Sequence, residues 1–461
     1  MRLSRFVSVI FDLLTATFVV MFLTTAGAAQ TFTDFFNFNG ANGGVPGYNV
    51  LVQGRDGQLY GTTGEGGTSG FGVVFRINTA GTESVIYSFD GTHGRAPSGG
   101  LTLGSDGNFY GTANIGGTFD LGVLFRITSN GSLTVLHSFA GREDAYPASP
   151  PIEASDGNFY GTTQGETYGE VYKYAPDGTF TALHTFSGSD GRTADAHLIQ
   201  GADGNLYGTT VEGGTYGWGT VFKMNTSGTI TGEYSFDSPT TGGYLEWPVI
   251  QATDGNFYST TSLYAANYYS GSVFRLNEEF SYTLLYTDSD NNTQITELSS
   301  GVVQATDRNL YGAGQLDGAD QYGGIYQLGL NGAFSVVYSF VNPTQMQAGM
   351  MQHTNGKLYG SVNYASTDGY GYLYSLDMGL GPFIGFVRPT GGVGQSAQIL
   401  GQGLTGATRV TFHGVPATSF KVLADTFMTA VVPSGATAGK VVVTTPNGTL
   451  TSNVIFRVNQ L

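Results

Sequence analysis

DGNFYG at Asp106–Gly111 is one of seven copies of the same short phrase, and these copies determine the architecture of the chain. Successive copies begin 50, 50, 47, 51, 53 and 48 residues apart. A self-similar period near fifty residues predicts stacked β units, most often propeller blades. In chain order the copies are Asp56–Gly61, Asp106–Gly111, Asp156–Gly161, Asp203–Gly208, Asp254–Ser259, Asp307–Gly312 and Asn355–Gly360.

Two further phrases accompany each copy and predict four short strands per unit. One is an aromatic, a polar and an apolar residue, as in Phe125–Ile127, and the other resembles His137–Phe139. The phrase that resembles His137–Phe139 follows the DGNFYG-like phrase only six times. Its seventh copy stands before the first unit, at Phe36–Phe38. We therefore expect Phe32–Phe38 to pair with Tyr370–Leu376, which completes the last unit and closes a seven-bladed β-propeller with protected edges.

The Asp-Gly pairs predict the hairpin turns between the first two strands of each unit. A two-residue type I′ turn needs positive φ at both central positions, and Asp-Gly is among its preferred sequences. We interpret the repeated aspartates as turn formers rather than as metal ligands or catalytic acids. Arg308 stands where five of the other copies have glycine after aspartate, so its turn is predicted to be either strained or of another type.

The N-terminal segment predicts an exported protein, and the composition of the rest of the chain agrees with this. Residues 1–29 have a positive start, an apolar run and small residues for cleavage at Ala26–Ala28, as in a signal peptide. We see no second apolar stretch long enough to span a bilayer, and the chain has no cysteine. With 18 Lys and Arg against 34 Asp and Glu, the acidic surface argues against nucleic-acid and anionic-membrane partners. We expect a monomer in an extracellular, cell-surface or periplasmic location.

The repeat ends near Leu376, and residues 379–461 are predicted to form a separate β-sandwich. Turn signals recur every 8–12 positions between short apolar runs, such as Met428–Pro433 and Gly439–Gly448. The order of these motifs resembles an IPT/TIG domain, which has an immunoglobulin-like fold. The resemblance implies a spacer or interaction module in an exported bacterial protein.

The repeats themselves, in residues 30–378, resemble the bacterial tandem-repeat family called GloVer. The resemblance depends on the phrase that runs from DGxLYGT to GxVFRI, as in Asp56–Ile77. It implies an exported protein and transfers no catalytic residue, because no activity is firmly attached to that family.

We predict that one face of the propeller carries two sets of loops, those between the second and third strands and those that connect the units. We expect this face to bind a ligand, because variable loops on a rigid scaffold usually have this role. They are rich in aromatic residues, whose amphipathic rings stack on the apolar faces of sugars. We expect this face to bind a neutral glycan or another envelope polymer, or an envelope protein. The alternative for each ring is packing between adjacent loops. The candidate residues are Tyr216, Trp218, Tyr244, Trp247, Tyr264, Tyr268 and Tyr269.

Two other functions stay open, a propeller lyase or hydrolase with its site on the same face, and a purely structural surface protein. We predict no catalytic residue, metal ligand or cofactor, because no histidine pair has metal spacing and no nucleophile elbow occurs. The polar residues that could converge in an enzyme are His93, Glu143, Asp144, Asp195 and His197.

Overall fold

The computed structural model describes most of the chain beyond the leader, and its secondary structure there consists of β-strands and turns. No helix in the described part is long and apolar enough to cross a bilayer. The predicted signal peptide lies outside the described residues. These are residues 30–47, 51–97, 99–262, 271–287, 295–298, 300–317, 322–341, 344–345, 349–365 and 369–459.

Seven antiparallel sheets follow the repeat, and the strand just before the repeated turn of each has only two or three residues. Sheets 1 and 2 contain Val52–Gln53, Leu59–Thr63, Val73–Ile77 and Glu83–Ser88, then Leu101–Leu103, Phe109–Ala113, Val123–Ile127 and Leu133–Ser138. Sheets 3 and 4 contain Ile152–Glu153, Phe159–Thr163, Glu170–Tyr174 and Phe180–Thr185, then Ile199–Gln200, Leu206–Thr210, Thr220–Met224 and Ile230–Ser235. Sheet 5 contains Ile250–Gln251, Phe257–Thr261, Ser272–Leu276 and Tyr282–Thr287.

The last two sheets depart slightly from this plan. Sheet 6 has a fifth strand, Ile295–Leu298, paired with an extended second strand, and a two-stranded ribbon follows it. Sheet 6 contains Ile295–Leu298, Val303–Gln304, Leu310–Asp317, Gly324–Leu328 and Phe334–Ser339; the ribbon contains Thr344–Gln345 and Tyr364–Ala365; sheet 7 contains Met351–Gln352, Leu358–Val362, Tyr372–Asp377 and Thr31–Asn37.

The N-terminal strand, Thr31–Asn37, pairs antiparallel with Tyr372–Asp377 and is the outer strand of sheet 7. Thr33 lies opposite Ser375 in this pairing. After the strand, the Phe38 amide donates to the Gly371 carbonyl at 3.1 Å, as the Phe89 amide does to Gly72 at 3.0 Å within sheet 1. The pairing expected from the displaced third phrase is therefore confirmed.

The repeated aspartates shape the turns, but not in the conformation that we predicted. In the first copy the Gly54 amide donates to the Gln58 carbonyl, the Gly57 amide donates to the Gly54 carbonyl, and only Gly57 of the Asp-Gly pair has positive φ, 75°. This is a three-residue loop with a left-handed glycine, so the type I′ assignment was wrong. The Asp56 carboxylate accepts from the Gln58 amide at 3.1 Å and from the Tyr60 hydroxyl at 2.8 Å.

Arg308 occupies the left-handed position of the sixth turn with φ 71°, which is strained for a residue with a Cβ. We expect Arg308→Gly to raise the free energy of unfolding by about 1 kcal/mol, because the strain exceeds the entropy that glycine adds to the unfolded chain. Thermal and urea unfolding measure the change. Gly255→Arg, the reverse change in the fifth turn, should be destabilising, and equal stabilities of wild type and Arg308→Gly would contradict the strain.

Glutamine side chains link neighbouring sheets at the same turns. Gln200 of sheet 4 accepts from the Ser155 amide of sheet 3 at 2.8 Å, and Gln251 of sheet 5 accepts from the Ala202 amide of sheet 4 at 2.8 Å. The same link joins the two ends of the series, where Gln53 of sheet 1 accepts from the Thr354 amide of sheet 7 at 3.0 Å. Sheets that are far apart in sequence are thereby fixed side by side.

After sheet 7 the chain forms a second β unit, the C-terminal unit (residues 383–459), with its own apolar core of Ile399, Val410, Met428, Val443 and other buried residues. Its strands form two four-stranded sheets and one parallel pair. In sheet order they are Gly385–Phe386, Ser396–Leu400, Phe427–Val431 and Phe420–Ala424; Val415–Pro416, Arg409–Phe412, Val441–Thr445 and Gly448–Thr451; and Thr390–Gly392 with Arg457–Asn459.

The C-terminal unit packs against the turn face, which we define as the side that carries the DG turns. Arg55 donates to Gln398 of the C-terminal unit at 2.6 Å and lies 4.7 Å from the centre of the Phe427 ring. Arg388 pairs with the buried Glu153 carboxylate at 3.3 Å, and Arg457 donates to the carbonyl of Gly201 at 3.1 Å. The expected separate unit is therefore anchored to several of the repeat sheets rather than tethered by a linker alone.

Candidate functional site

The loop face, opposite the turn face, contains a polar cavity of about 250 Å³, which we call the loop-face cavity. Small-molecule pockets usually enclose roughly 300–1,000 Å³, so this one suits a ligand smaller than a typical drug molecule. It is formed by the connections that lead into sheets 2 to 5 and by two loops. Its lining residues are Gly99, Asn114, Ala148, Ser149, Gln164, Asp195, Ala196, His197, Glu246, Trp247 and Pro248.

A repeated threonine fixes the backbone around this cavity. Thr112 donates to the Ser149 carbonyl at 3.0 Å, Thr162 to Ala196 at 3.1 Å and Thr209 to Trp247 at 3.1 Å. Each of these hydroxyls lies in the second strand of one sheet and holds the connection that leads into the next sheet. The scaffold is therefore regular, and the side chains on the connections differ from one sheet to the next.

Two carboxylates lie in the cavity without a Lys or Arg among its described lining residues. Burial raises the pKa of Asp195, although a hydrogen bond from Gln164 partly opposes the rise. The pKa of Glu246 is also raised, first by burial and further by the charge of Asp195, and it accepts from the Ser262 hydroxyl at 3.1 Å. The site therefore disfavours negative charge and would gain from a neutral or positive ligand group.

His197 lies at the base of the same cavity. Burial lowers the pKa of its imidazole to about 4, so the ring is neutral at pH 7. A neutral imidazole has one donor and one acceptor nitrogen. In the part of the chain that the structure describes, the His197 ring makes no hydrogen bond, so both nitrogens are available to a ligand that enters the cavity.

A second, more apolar cavity of about 460 Å³, the inner chamber, lies between the first strands of several sheets and the C-terminal unit. Gly99 and His197 line both cavities. The C-terminal unit contributes Phe386, Val387 and Leu400 to the chamber wall. The side of the chamber towards the turn face is therefore covered by this unit, and the polar cavity occupies the side towards the loop face.

The predicted aromatic residues are divided between different places. Trp247 is only 4% exposed and lines the loop-face cavity. Tyr216 is 60% exposed and lines a separate depression with Glu233 and Asp237. Tyr264, Tyr268 and Tyr269 lie outside the described residues.

Trp218 and Tyr244 contact each other edge to face at 5.4 Å, next to a backbone hydrogen bond that repeats between units. The Tyr244 amide donates to the Trp218 carbonyl, as the Ala96 amide does to Phe71 in the first unit. Tyr244 and Ala96 both have positive φ, 55° and 53°. These two rings therefore support the loops, and the four described aromatic residues do not line one common cavity.

The five polar residues considered for an enzyme also separate. His93 bonds Asp90 at 2.8 Å on the surface, the Glu143 carboxylate accepts from the Tyr168 and Gly169 amides, and Asp144 accepts from the Gly141 amide. These three therefore hold loop structure. The other two, Asp195 and His197, lie together in the loop-face cavity.

Glu246, Gln164 and Asn114 complete the site and were not selected from the sequence. Alignment of the units by their DG turns gives a signal for Glu246. Asp195 and Glu246 stand eight residues before Asp203 and Asp254, respectively, and the same position before Asp156 is Ala148. A residue that repeats supports the scaffold, whereas an acidic residue that interrupts the repeat at a cavity is a candidate for binding.

A comparison with family models supports the interpretation of the repeats. The model of the Gloeobacter/Verrucomicrobia repeat matches residues 19–167 and 145–297. Together the two matches span more than half of the 461 residues. No curated protein matched the chain.

Solved structures with a similar fold are propeller-like proteins. The BP39L lectin from Burkholderia pseudomallei superposes with a TM-score of 0.51 at 10% identity and covers 76% of this chain and 95% of its own. A putative 6-phosphogluconolactonase from Bacteroides uniformis gives a TM-score of 0.46 at 16% identity, covering 69% of this chain and 98% of its own. At 10% identity the similarity to the lectin shows the fold alone, which is all-β and propeller-like.

Proposed function

Because the chain belongs to the Gloeobacter/Verrucomicrobia repeat family, we propose that it is an exported, non-catalytic binding protein whose propeller recognises a sugar unit of a glycan in the loop-face cavity. We further propose that residues 1–29 are removed as a signal peptide and that the mature protein is a monomer outside the cytoplasm. An envelope polysaccharide is the proposed partner.

The proposed architecture is a closed seven-bladed propeller (residues 30–378) followed by an immunoglobulin-like domain of the IPT/TIG type (379–461). The pairing of Thr31–Asn37 with Tyr372–Asp377 and the hydrogen bond between Gln53 and Thr354 support closure, because each joins the two ends of the repeat series. The two four-stranded sheets of the C-terminal unit support the sandwich. A closed ring gives the loop-face cavity walls that are held from all sides.

The observation that most supports sugar binding is the composition of the loop-face cavity. It combines one indole ring, Trp247, with the amides of Asn114 and Gln164 and the carboxylates of Asp195 and Glu246. Aromatic faces contact the apolar side of a sugar ring, and amides and carboxylates bind its hydroxyl groups. The volume of about 250 Å³ suits a single sugar unit rather than a long chain laid across the surface.

A printed array of bacterial and plant glycans tests this function. We expect Gln164→Ala to weaken binding roughly ten-fold, equivalent to about 1.4 kcal/mol, because Gln164 lines the cavity and orients Asp195. Gln58→Ala makes the same change on the turn face and should leave binding intact. An array without bound glycan, or equal losses in the two variants, would argue against the proposal.

An enzyme remains a second candidate because Asp195 and Glu246, whose pKa values are both raised, lie in the same cavity. Such a pair can supply a general acid and a general base. Incubation of the protein with the glycan that it binds distinguishes the two functions. Recovery of intact glycan supports a binding protein, and the appearance of new reducing or unsaturated ends supports a hydrolase or a lyase.

A further inference from the structure

We infer that the loop-face cavity selects ligands that carry a protonated amine beside their hydroxyl groups, with Asp195 and Glu246 as the carboxylates that receive the ammonium group. The chemical class is an amino sugar with a free amine. This inference rests on the proposed function and specifies the kind of sugar that the same site takes.

The charge of the cavity is the first reason. Asp195 and Glu246 both line it, and its described lining residues include no Lys or Arg. Their existing partners are neutral, an amide from Gln164 and a hydroxyl from Ser262. Asp195 is partly buried and Glu246 is exposed, and their negative charges lie close enough to repel each other, a repulsion that a cation would relieve. An ammonium group is a cation that would also fill hydrogen-bonding positions on both.

The aromatic wall is the second reason. Trp247 lines the cavity beside Glu246, and its backbone is fixed by hydrogen bonds from Thr209 and Ser259 to its carbonyl. Indole is the best of the protein rings for contact with a cation, and this attraction grows as water is excluded. An indole that lines the same cavity as two carboxylates therefore favours an ammonium over a neutral hydroxyl.

His197 gives an independent indication that a ligand binds at this place. His197 is partly buried and lines the cavity, and its ring makes no hydrogen bond to the residues that the structure describes. Because it is neutral at pH 7, it does not compete with a cationic ligand for the carboxylates. Its free acceptor nitrogen can bind a sugar hydroxyl beside the amine.

The repeat supplies the fourth reason. The units share their turns and their threonine links, yet the connections into sheets 4 and 5 place Asp195, His197, Glu246 and Trp247 where the connection into sheet 3 has Ala148, Ser149 and Pro150. Residues needed only for the fold would recur in the third unit as well. The acidic and aromatic side chains are therefore concentrated on one side of the cavity for a ligand with an asymmetric charge.

Calorimetry of the full chain with glucosamine, N-acetylglucosamine and glucose at neutral pH tests the inference. These sugars share a ring, and only glucosamine carries a positive charge. We expect glucosamine to bind at least roughly ten-fold more tightly than the other two, because hydrogen bonds to charged groups are stronger than neutral ones. The preference should decline as the pH falls and Asp195 and Glu246 become protonated, while His197 gains a competing positive charge.

The double variant Asp195→Asn, Glu246→Gln should bind the three sugars with equal affinity. Glu278→Gln, an exposed change at a turn on the opposite face, should keep the wild-type preference. Circular dichroism checks the fold of each variant, and the pH series on the wild type does not depend on any variant. Equal binding of the sugars by the wild type, or a preference that survives in the double variant, would overturn the inference.

The outcomes separate this inference from the proposed function. A positive glycan array with no preference for glucosamine, or with no binding of the three simple sugars, would overturn the inference alone. If the array and all three sugars are negative, the proposed function fails, and the inference fails with it.

Discussion

Phe38→Ala should lower the free energy of unfolding by about 3–5 kcal/mol, the range for a fully buried phenylalanine. Phe38 is 2% exposed and lies in a cluster that joins Phe75 and Leu59 of sheet 1 to Leu373 of sheet 7. Its ring packs edge to face on Phe75 at 5.3 Å. Its removal therefore leaves a cavity at the contact between the two ends of the repeat series. Urea unfolding followed by tryptophan fluorescence and circular dichroism measures the loss.

Phe89→Ala is the matched comparison for this prediction. Phe89 is equally buried and packs on Phe125 at 5.4 Å, between sheets 1 and 2, so it has the same place within an internal pair of units. If the N-terminal strand is an integral part of sheet 7, the two losses should agree within about 1 kcal/mol. A loss below about 1 kcal/mol for Phe38→Ala alone would indicate that its segment adds little to the fold.

Glu170→Thr should raise the free energy of unfolding by about 2 kcal/mol at pH 8. Glu170 is 4% exposed, and burial, together with the charges of Asp144 and Glu143, raises the pKa of its carboxyl to about 7. The equivalent residue of sheet 4 is Thr220, whose hydroxyl lies 2.9 Å from that of Thr210. Threonine at position 170 can form the same hydrogen bond with Thr163 and removes the buried carboxyl.

The pH dependence of this gain has a definite sign. Because the folded-state pKa of Glu170 lies above its ordinary value of 4.5, the carboxyl destabilises the folded state fully above about pH 7 and not at all below about pH 4.5. The advantage of Glu170→Thr should therefore shrink between pH 8 and pH 5. The reverse change, Thr220→Glu, should lower the free energy of unfolding, and the loss should be larger at pH 8 than at pH 5. An advantage that does not vary with pH would argue against an ionised, buried Glu170.

The sequence was sufficient to predict the repeating part of the fold, because each unit contains its own strand and turn signals. The displaced phrase Phe36–Phe38 also predicted which strand completes sheet 7. The last unit lacked its fourth strand, and the N-terminal segment contained a strand without a unit of its own. The turn conformation was predicted wrongly, because Asp-Gly suits both two-residue and three-residue hairpins. Which of these two hairpin types forms depends on the backbone hydrogen bond between Gly54, before the turn, and Gln58, after it.

The site was only partly predictable. Asp195 and His197 were named from the sequence as polar residues of the connections and lie together in the cavity, whereas Glu246 was not selected. Trp218 and Tyr244, which were selected as candidate binding residues, contact each other edge to face and are not among the residues that line this cavity. The backbone conformation of each connection determines which of its side chains point into a cavity. That conformation includes positive-φ residues such as Thr193, which sequence patterns do not identify.

Disulfide trapping tests whether the N-terminal strand pairs with the last repeat unit, the contact on which closure of the propeller depends. The natural chain has no cysteine, so Thr33→Cys with Ser375→Cys gives the only thiol pair. These residues face each other in the antiparallel pairing, where Cα atoms are about 4.5–5.5 Å apart, a spacing that a disulfide can bridge. Thr33→Cys with Thr231→Cys, which joins the strand to sheet 4, is the control. We expect rapid intramolecular oxidation of the first pair alone. Free thiols in the first pair, or equal oxidation of the two pairs, would show that the N-terminal strand is not paired with sheet 7.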